Sequence, residues 1–485
     1  MRGGRRKRPG FRRLGTVGHA LLAFPALLAL GGCSKDVFEA NLLFNVPEHF
    51  ENSRSARPAP VSRWWTRFGS SELNVLVDSA YFDNLDIAAA VAQLEQADAQ
   101  VQVADAALWP TVDYADSNAR TQHSRTTSPS VISPRSVINS VSKTLSASYI
   151  LDVWGQNRDA LKSAISTASA TAYQVEVVRL ATRAAVVRNF LIYAANRERE
   201  AVAGQNLSAA ERVLGVVRNR RTQGTAADLD VSQQETLTEI QRAAIPPLRL
   251  AAGQARTALA LLVARPVQTV PVSASNVRKL RLPTITPGLP STLLARRPDI
   301  RNAEDLMLAA NLNVEVARKS FLPSITLTGD VGYQSAALKT LLRPESAIFD
   351  IAAGLTQPIL DGGRLSGQLA LTVGQRQQLL EQYRKSILQA FADVENALIA
   401  IRESAAQERA QRAAVDAARR AFELSEDRLR QGTIDLTTLL TVQTTLFQAE
   451  DTLIQVRLAR LQALASLYEA LGGDWEEPVV VLSRS

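Results

Sequence analysis

The sequence predicts a mainly α-helical chain with a membrane β-barrel portion, built from two structural repeats. Three observations carry this reading. The tripeptide Gln223-Gly224-Thr225 returns as Gln431-Gly432-Thr433. Upstream, Leu108-Trp109-Pro110-Thr111-Val112 parallels Phe321-Leu322-Pro323-Ser324-Ile325, and Ile150-Leu151-Asp152 parallels Ile359-Leu360-Asp361. Between these landmarks each copy passes from residues of alternating polarity into a proline-free stretch, 155–222 and 364–431. Each unit therefore reads strand, loop, strand, very long helix, glycine turn, returning helix. A unit of that shape buries too little by itself and must stack on neighbours.

In chain order, residues 1–32 carry Arg2, Arg5, Arg6, Lys7, Arg8, Arg12 and Arg13, followed by the apolar run from Ala20 to Leu30. This is the pattern of a secretory signal peptide. Leu30-Gly31-Gly32-Cys33 resembles the lipobox of bacterial lipoproteins, which implies acylation of Cys33 and a lipidated N-terminal segment over 33–71. By the same resemblance, Ser34 after the cysteine favours the outer membrane. Cys33 is the only cysteine, so no intramolecular disulfide is possible. Loss of the signal removes seven positive charges and no acids, taking the formal net charge from +8 to about +1. The mature chain then lacks the basic excess that phosphate binding requires, and nucleic acid is not expected as a partner.

The first repeat spans 72–263: a helix, strands at about 108–126 and 137–153, a long helix over 155–222 and a return helix over 226–263. A connector at 264–290, rich in proline (Pro266, Pro271, Pro283, Pro287, Pro290), joins it to the second repeat at 291–472. That repeat has a helix, strands at about 321–335 and 346–360, a long helix over 364–431 and a return helix over 434–472. Residues 473–485 form a tail. The strands are read from period-two alternation. Ile325, Leu327, Val331 and Tyr333 oppose Thr326, Thr328, Asp330 and Gly332; Val141, Leu145, Ala147, Tyr149 and Leu151 oppose serines and Thr144. Phe349, Ile351, Ala353 and Leu355 continue the pattern. Polar faces of small hydroxyl residues suit a wet lumen, and strands of about ten residues have the length to cross a bilayer. No run reaches the roughly 18 apolar residues of a spanning helix. Four strands cannot close a barrel, and an open edge cannot lie in lipid, so the chain must oligomerise.

A helix over 155–222 would span on the order of 100 Å. Its apolar spacing is heptad-like, through Tyr173, Val177, Leu180, Ala184, Val187, Leu191 and Ala194; Leu380, Tyr383, Ile387, Phe391, Val394, Leu398 and Ile401 repeat it. Leu439, Val442, Leu446, Ala449, Leu453 and Val456 do the same after Gly432. Gly224 and Gly432 fit turns that need a left-handed backbone, which predicts two hairpins with similar tips far from the strands.

Leu289-Pro290-Ser291-Thr292-Leu293-Leu294-Ala295-Arg296-Arg297-Pro298-Asp299-Ile300, then Ala303-Glu304 and Phe321-Leu322-Pro323, is similar to the signature of outer-membrane efflux proteins of the TolC and OprM type, in particular the NodT-like lipoprotein branch. Trp64-Trp65, Phe68, Leu73 and Leu76 resemble that branch's N-terminal segment. The resemblance covers essentially the whole mature chain. It implies a homotrimer with a 12-stranded barrel over a long α-helical barrel, a passive duct in the outer membrane. The implied partners are a periplasmic adaptor and an inner-membrane pump, of RND type. It further implies an aperture at the helical tips. Asp230 stands where relatives often place an acid, with Asp228 beside it. Thr437, Thr441 and Thr444 occupy positions where relatives carry a leucine, an acid and an arginine, so the two tips are expected to differ.

His49 and His123 are the only histidines outside the signal, and no GxSxG, GxxxxGK or HExxH pattern occurs. No enzyme activity, metal site or cofactor is expected. The alternatives are a periplasmic coiled-coil scaffold lipoprotein without a pore, or a type I secretion duct. The cargo is not legible.

Overall fold

The computed structural model describes residues 42–52, 62–123, 127–128, 131–132, 136–273, 276–283, 285–473 and 475. The segment expected to be a signal peptide, residues 1–32, and Cys33 lie outside the described residues. Residues 42 onward form one compact unit.

Its elements are α1 (Ser71–Asp83), α2 (Leu85–Ala106), β1 (Thr111–His123), a short ribbon of β2 (Thr127–Ser128) and β3 (Val131–Ile132), and β4 (Ser136–Leu151). Then come α3 (Gln156–Thr222), α4 (Asp228–Leu262), α5 (Pro290–Arg296), α6 (Pro298–Lys319), β5 (Ser324–Ser335), β6 (Ala347–Thr356), α7 (Arg364–Arg430) and α8 (Leu436–Ala470). The two long helices are each 67 residues and the two return helices each 35 residues. At 1.5 Å per residue, α3 and α7 run about 100 Å.

Local chemistry sets the boundaries. The Ser70 hydroxyl caps α1 by accepting from the Leu73 N–H. The Asn84 side chain caps α2 through Asp86 and Ile87, while its own amide donates to the Leu262 carbonyl at 2.8 Å. One residue thus starts a helix and pins it to the end of α4. Asp361 holds the entry to α7 by accepting from Gly363 and Leu365 N–H groups. Pro298 opens α6 in its first turn, where its missing N–H costs nothing.

Helix α4 continues through Pro246 and Pro247, although each proline removes a bond to the carbonyl four residues back. Its end is also unusual. Ala264 takes the left-handed conformation, φ 52°, and closes the helix with Ala264 N–H on Leu261 and Arg265 N–H on Ala260. Glycine fills the same role after α8, at Gly472.

Packing orders the helices. Nearest the strands the sequence of neighbours is α2, α3, α6, α7; farther down it is α4, α3, α8, α7. Between the two levels sits the main core, where Trp64, Phe68, Phe190, Leu191, Leu259, Ile454, Leu461 and Tyr468 cluster. Trp64 stacks on Tyr468 with ring centroids 5.0 Å apart. The N-terminal aromatics are therefore packing residues. Truncating Phe190, fully buried, would cost about 3–5 kcal/mol. Arg297 of the proline-rich signature is 11% exposed and binds Asp299, Asp393 and the Ala470 carbonyl, joining α6, α7 and the end of α8.

The four long strands form an antiparallel sheet in the order β1-β4-β5-β6. Its two edges, β1 and β6, are unpaired in the single chain. β4 and β5 join the two repeats and approach closely at Gly332, where a Cβ would lie 2.1 Å from the Lys143 carbonyl.

Candidate functional site

Two regions carry the chemistry: the sheet and the hairpin tips. Register fixes the faces of the sheet. Tyr114, Leu145, Val331 and Phe349 share one row, and Val112, Ala147, Gly329 and Ile351 the next. Tyr149, Leu327 and Ala353, then Leu151, Ile325 and Leu355, continue this face. It is apolar and uncovered, with Phe349 71%, Ile351 75% and Leu355 69% exposed. A patch of that size on one side of a sheet marks a surface meant for an apolar surrounding. From the Leu151 row to the Lys143 and Tyr333 row is eight residues, about 26 Å along the strand. Lys143, which reaches Asp116 and Tyr114, closes one end of the band, and Trp109 and Trp154 stand at the other. That arrangement matches the flanking aromatic and snorkelling residues of membrane strands.

The opposite face is polar. Register aligns Asp113, Ser146, Asp330 and Asp350 in a single row across all four strands, and the Ser146 hydroxyl donates to Asp330. The adjoining rows hold Ala115, Thr144, Gly332 and Ile348 on one side and Thr111, Ser148, Thr328 and Ala352 on the other. Three carboxylates per chain thus form a belt between uncharged rows. Sequence reading noted Asp330 only as one residue of a polar face; the belt appears once register joins positions more than 200 residues apart.

At the tips the repeated tripeptide has a mechanical meaning. Gly224 and Gly432 are left-handed, φ 74° and 76°. Thr225 N–H reaches the Arg220 carbonyl at 2.8 Å and Gly224 N–H the Arg221 carbonyl at 2.9 Å; Thr433 and Gly432 repeat this on Arg428 and Leu429. Both threonine hydroxyls add a second bond to the same Arg220 and Arg428 carbonyls. This is the Schellman closure with the threonine side chain reinforcing it.

The return helices begin by opposite halves of one device. In the first hairpin the Asp230 carboxylate accepts from the Ala227 N–H at 2.9 Å, and alanine offers no side-chain acceptor in return. In the second, Asp435 accepts from the Thr438 N–H at 2.7 Å, and threonine stands where Asp230 stood. A complete capping box needs both contacts. The Thr438 backbone N–H holds the Asp435 carboxyl below the usual range. Asp228 pairs with Arg221 of its own hairpin.

Thr441 and Thr444 donate back to the Thr437 and Leu440 carbonyls of their own helix, at 2.9 and 2.8 Å. Their oxygens are left with acceptor capacity. Sequence reasoning missed two tip residues. Asp435 lies three residues past the tip glycine, outside the position searched. Arg220 donates from the first tip to the Leu429 carbonyl of the second at 3.0 Å, a contact across 209 residues that no local pattern signals. Beneath it, Val213, Val217, Phe422, Leu429, Leu436 and Leu439 form the apolar core that joins the hairpins.

Comparison with known proteins decides the family. The model of the family described as outer membrane efflux protein matches residues 76–265 and 289–473. The chain belongs to the outer membrane efflux protein family. The efflux protein is 36% identical over 464 residues to the pyoverdine export outer membrane protein OpmQ of Pseudomonas aeruginosa, covering 95% of this chain and 98% of that one. OpmQ of Pseudomonas putida is 37% identical over 424 residues, 87% and 90% of the two chains. Among solved structures, a membrane protein from Pseudomonas aeruginosa matches with TM-score 0.80 at 29% identity, over 88% of this chain and 99% of that one. The efflux protein is thus an outer-membrane channel component of an efflux system. Among the described residues no helix is long and apolar enough to cross a membrane.

Proposed function

We propose that three copies of the efflux protein close a single duct, with twelve strands in the outer membrane and paired hairpins reaching toward an inner-membrane pump of RND type. One observation carries this reading: among the described residues the four-stranded sheet is open at both edges. β1 and β6 are free sheet edges, and the helices in line with them, α2 and α4 on one side and α7 on the other, end each helical layer. An apolar sheet face with two free edges is untenable in lipid until it closes. Three four-stranded sheets supply a barrel wide enough to leave a lumen.

Acylation of Cys33 fits this arrangement. Phe50 is 3% exposed and packs with Ile387 and Val394 of α7, while Glu51 and Asn52 bond to Glu395. From Arg364 to Glu395 the helix rises about 46 Å. The 17 residues from Cys33 to Phe50 extend to roughly 56–61 Å. The segment is long enough for a lipid on Cys33 to sit in the leaflet beside the barrel. Gly224 and Gly432, with Asp228, Asp230, Thr437, Thr441 and Thr444 nearby, form the periplasmic entry in this reading. The relatives named for pyoverdine export give the first cargo class to test.

The deciding experiment is single-channel recording on the purified protein, with heat-modifiable trimer bands on gels. Stepwise currents from a trimer are expected. A trimer without current would sink the duct in favour of a scaffold. Mass spectrometry of the mature N-terminus tests Cys33, where an unmodified thiol would end the lipid-anchor reading.

A further inference from the structure

Away from the sheet and the tips, a cleft of about 620 Å³ opens where the connector meets the second hairpin. It is lined by Glu408, Arg409, Arg412 and Asp416 of α7, Arg457 and Arg460 of α8, and Arg278 of the connector. Glu408 is 3% exposed and already saturated: Arg412, Arg457 and Arg460 reach it at 2.9, 3.1 and 2.7 Å. Arg457 also donates to the Leu280 carbonyl at 2.9 Å, and Arg278 pairs with the buried Glu198. Five guanidinium groups thus face Glu408, Asp416 and, behind Arg278, Glu198, leaving two positive charges in excess. A shared buried acid cannot neutralise three arginines in a partly desolvated space. Burial disfavours the charged form of Arg457, with Arg460 and Arg412 adding to it, against the pull of Glu408. Arg409 is exposed and makes no hydrogen bond among the described residues.

We propose that this cleft binds a compact, doubly charged oxyanion of the phosphate or dicarboxylate class, held by Arg409, Arg412 and the outer face of Arg460. Guanidinium forks match paired anionic oxygens in geometry as well as charge. The occupant would offset the surplus charge and clasp α7, α8 and the connector together. The cleft lies beside residue 412 of α7, about 72 Å along the helix from its start, so a lipid headgroup of the enclosing membrane is out of reach. The two sources left are a free anion and carboxylates carried on a periplasmic polymer.

The test uses the full-length detergent-solubilised trimer. Inorganic phosphate and succinate are titrated by calorimetry, with sodium chloride at matched ionic strength as the screening control. Saturable one-to-one binding per chain is expected, weakened at least tenfold in R409Q/R412Q, whose exposed side chains leave the Arg457–Glu408–Arg460 contacts in place. Succinate binding as tight as phosphate points to the carboxylate source; phosphate alone points to the free anion. A response to chloride equal to that of phosphate would overturn the proposal. So would undiminished binding in the double variant, or binding by dissociated chains but not by the trimer, which would put a neighbouring copy on the cleft. The heat-modifiable band confirms that the variant still assembles.

Discussion

Arg220→Ala is expected to loosen the tie between the two hairpin tips. The side chain donates to the Leu429 carbonyl of the other hairpin at 3.0 Å, an acceptor that Gly432 N–H also uses. A hydrogen bond with a charged donor contributes about 1.5–3 kcal/mol when shielded. Arg220 is half-buried, and solvent lowers that to about 1 kcal/mol. One chain's tip then opens about fivefold more often, and three acting together up to about a hundredfold. The readout is open probability and mean conductance in planar bilayers, with entry of a large antibiotic into cells as a second measure. Arg220→Lys keeps one charged donor and should recover part of the closure. Arg218→Ala is the control, because Arg218 pairs with Glu235 of its own hairpin at 2.7 Å and, among the described residues, makes no hydrogen bond or ion pair to the second hairpin. Unchanged gating in Arg220→Ala, or an equal effect from Arg218→Ala, would refute the cross-hairpin tie.

Three further outcomes are expected. Ala264→Gly relieves a left-handed alanine, a strain of about 1–2 kcal/mol offset by glycine's greater unfolded freedom, so about 0.5–1 kcal/mol of stability should be gained; the thermal midpoint measures it, and a fall would contradict the strain. Replacing Asp113, Asp330 and Asp350 with asparagine should abolish the cation preference set by the carboxylate belt, read as a shift in reversal potential under a potassium chloride gradient; an unmoved potential excludes the belt from the conduction path. Asp435 has its carboxyl depressed in the folded state, so its cap stabilises α8 above the ordinary carboxylate range and fails as pH falls through the depressed value. Hydrogen exchange at Thr438, corrected for intrinsic rate, should show acid-induced loss of protection in the wild type but not in Asp435→Asn, which caps without titrating.

Much of this architecture is written locally. Period-two alternation at 325–333 and the absence of proline over 155–222 and 364–431 are short-range signals, and each strand and helix obeys its own periodicity. Gln-Gly-Thr marked both turns because the Schellman closure involves only six residues. What escaped was whatever depends on register or distance. Asp113, Asp330 and Asp350 have no spacing that suggests a row, since ladder pairing alone sets them level. Arg220 reads as one more basic residue in an exposed helix end until the second hairpin is placed beside it. Asp435 was passed over for a subtler reason: the capping acid stands at the third helical position in the first hairpin and at the N-cap in the second, so the copies do not align acid to acid. Pro246-Pro247 argues for a break by propensity, yet packing of Leu248, Ala252 and Ala255 carries α4 through.

The equal lengths of the paired helices, 67 and 35 residues in both halves, constrain how the gene can change. One residue inserted into α3 would move the first tip about 1.5 Å and turn it about 100° relative to the second. Arg220 would then point away from Leu429, and every downstream apolar contact would fall out of phase. Length variation in the helical shaft is therefore open only to matched changes in both halves, while the loop at 336–346 is freer to grow. A survey of natural variants should find insertions and deletions confined in just that way.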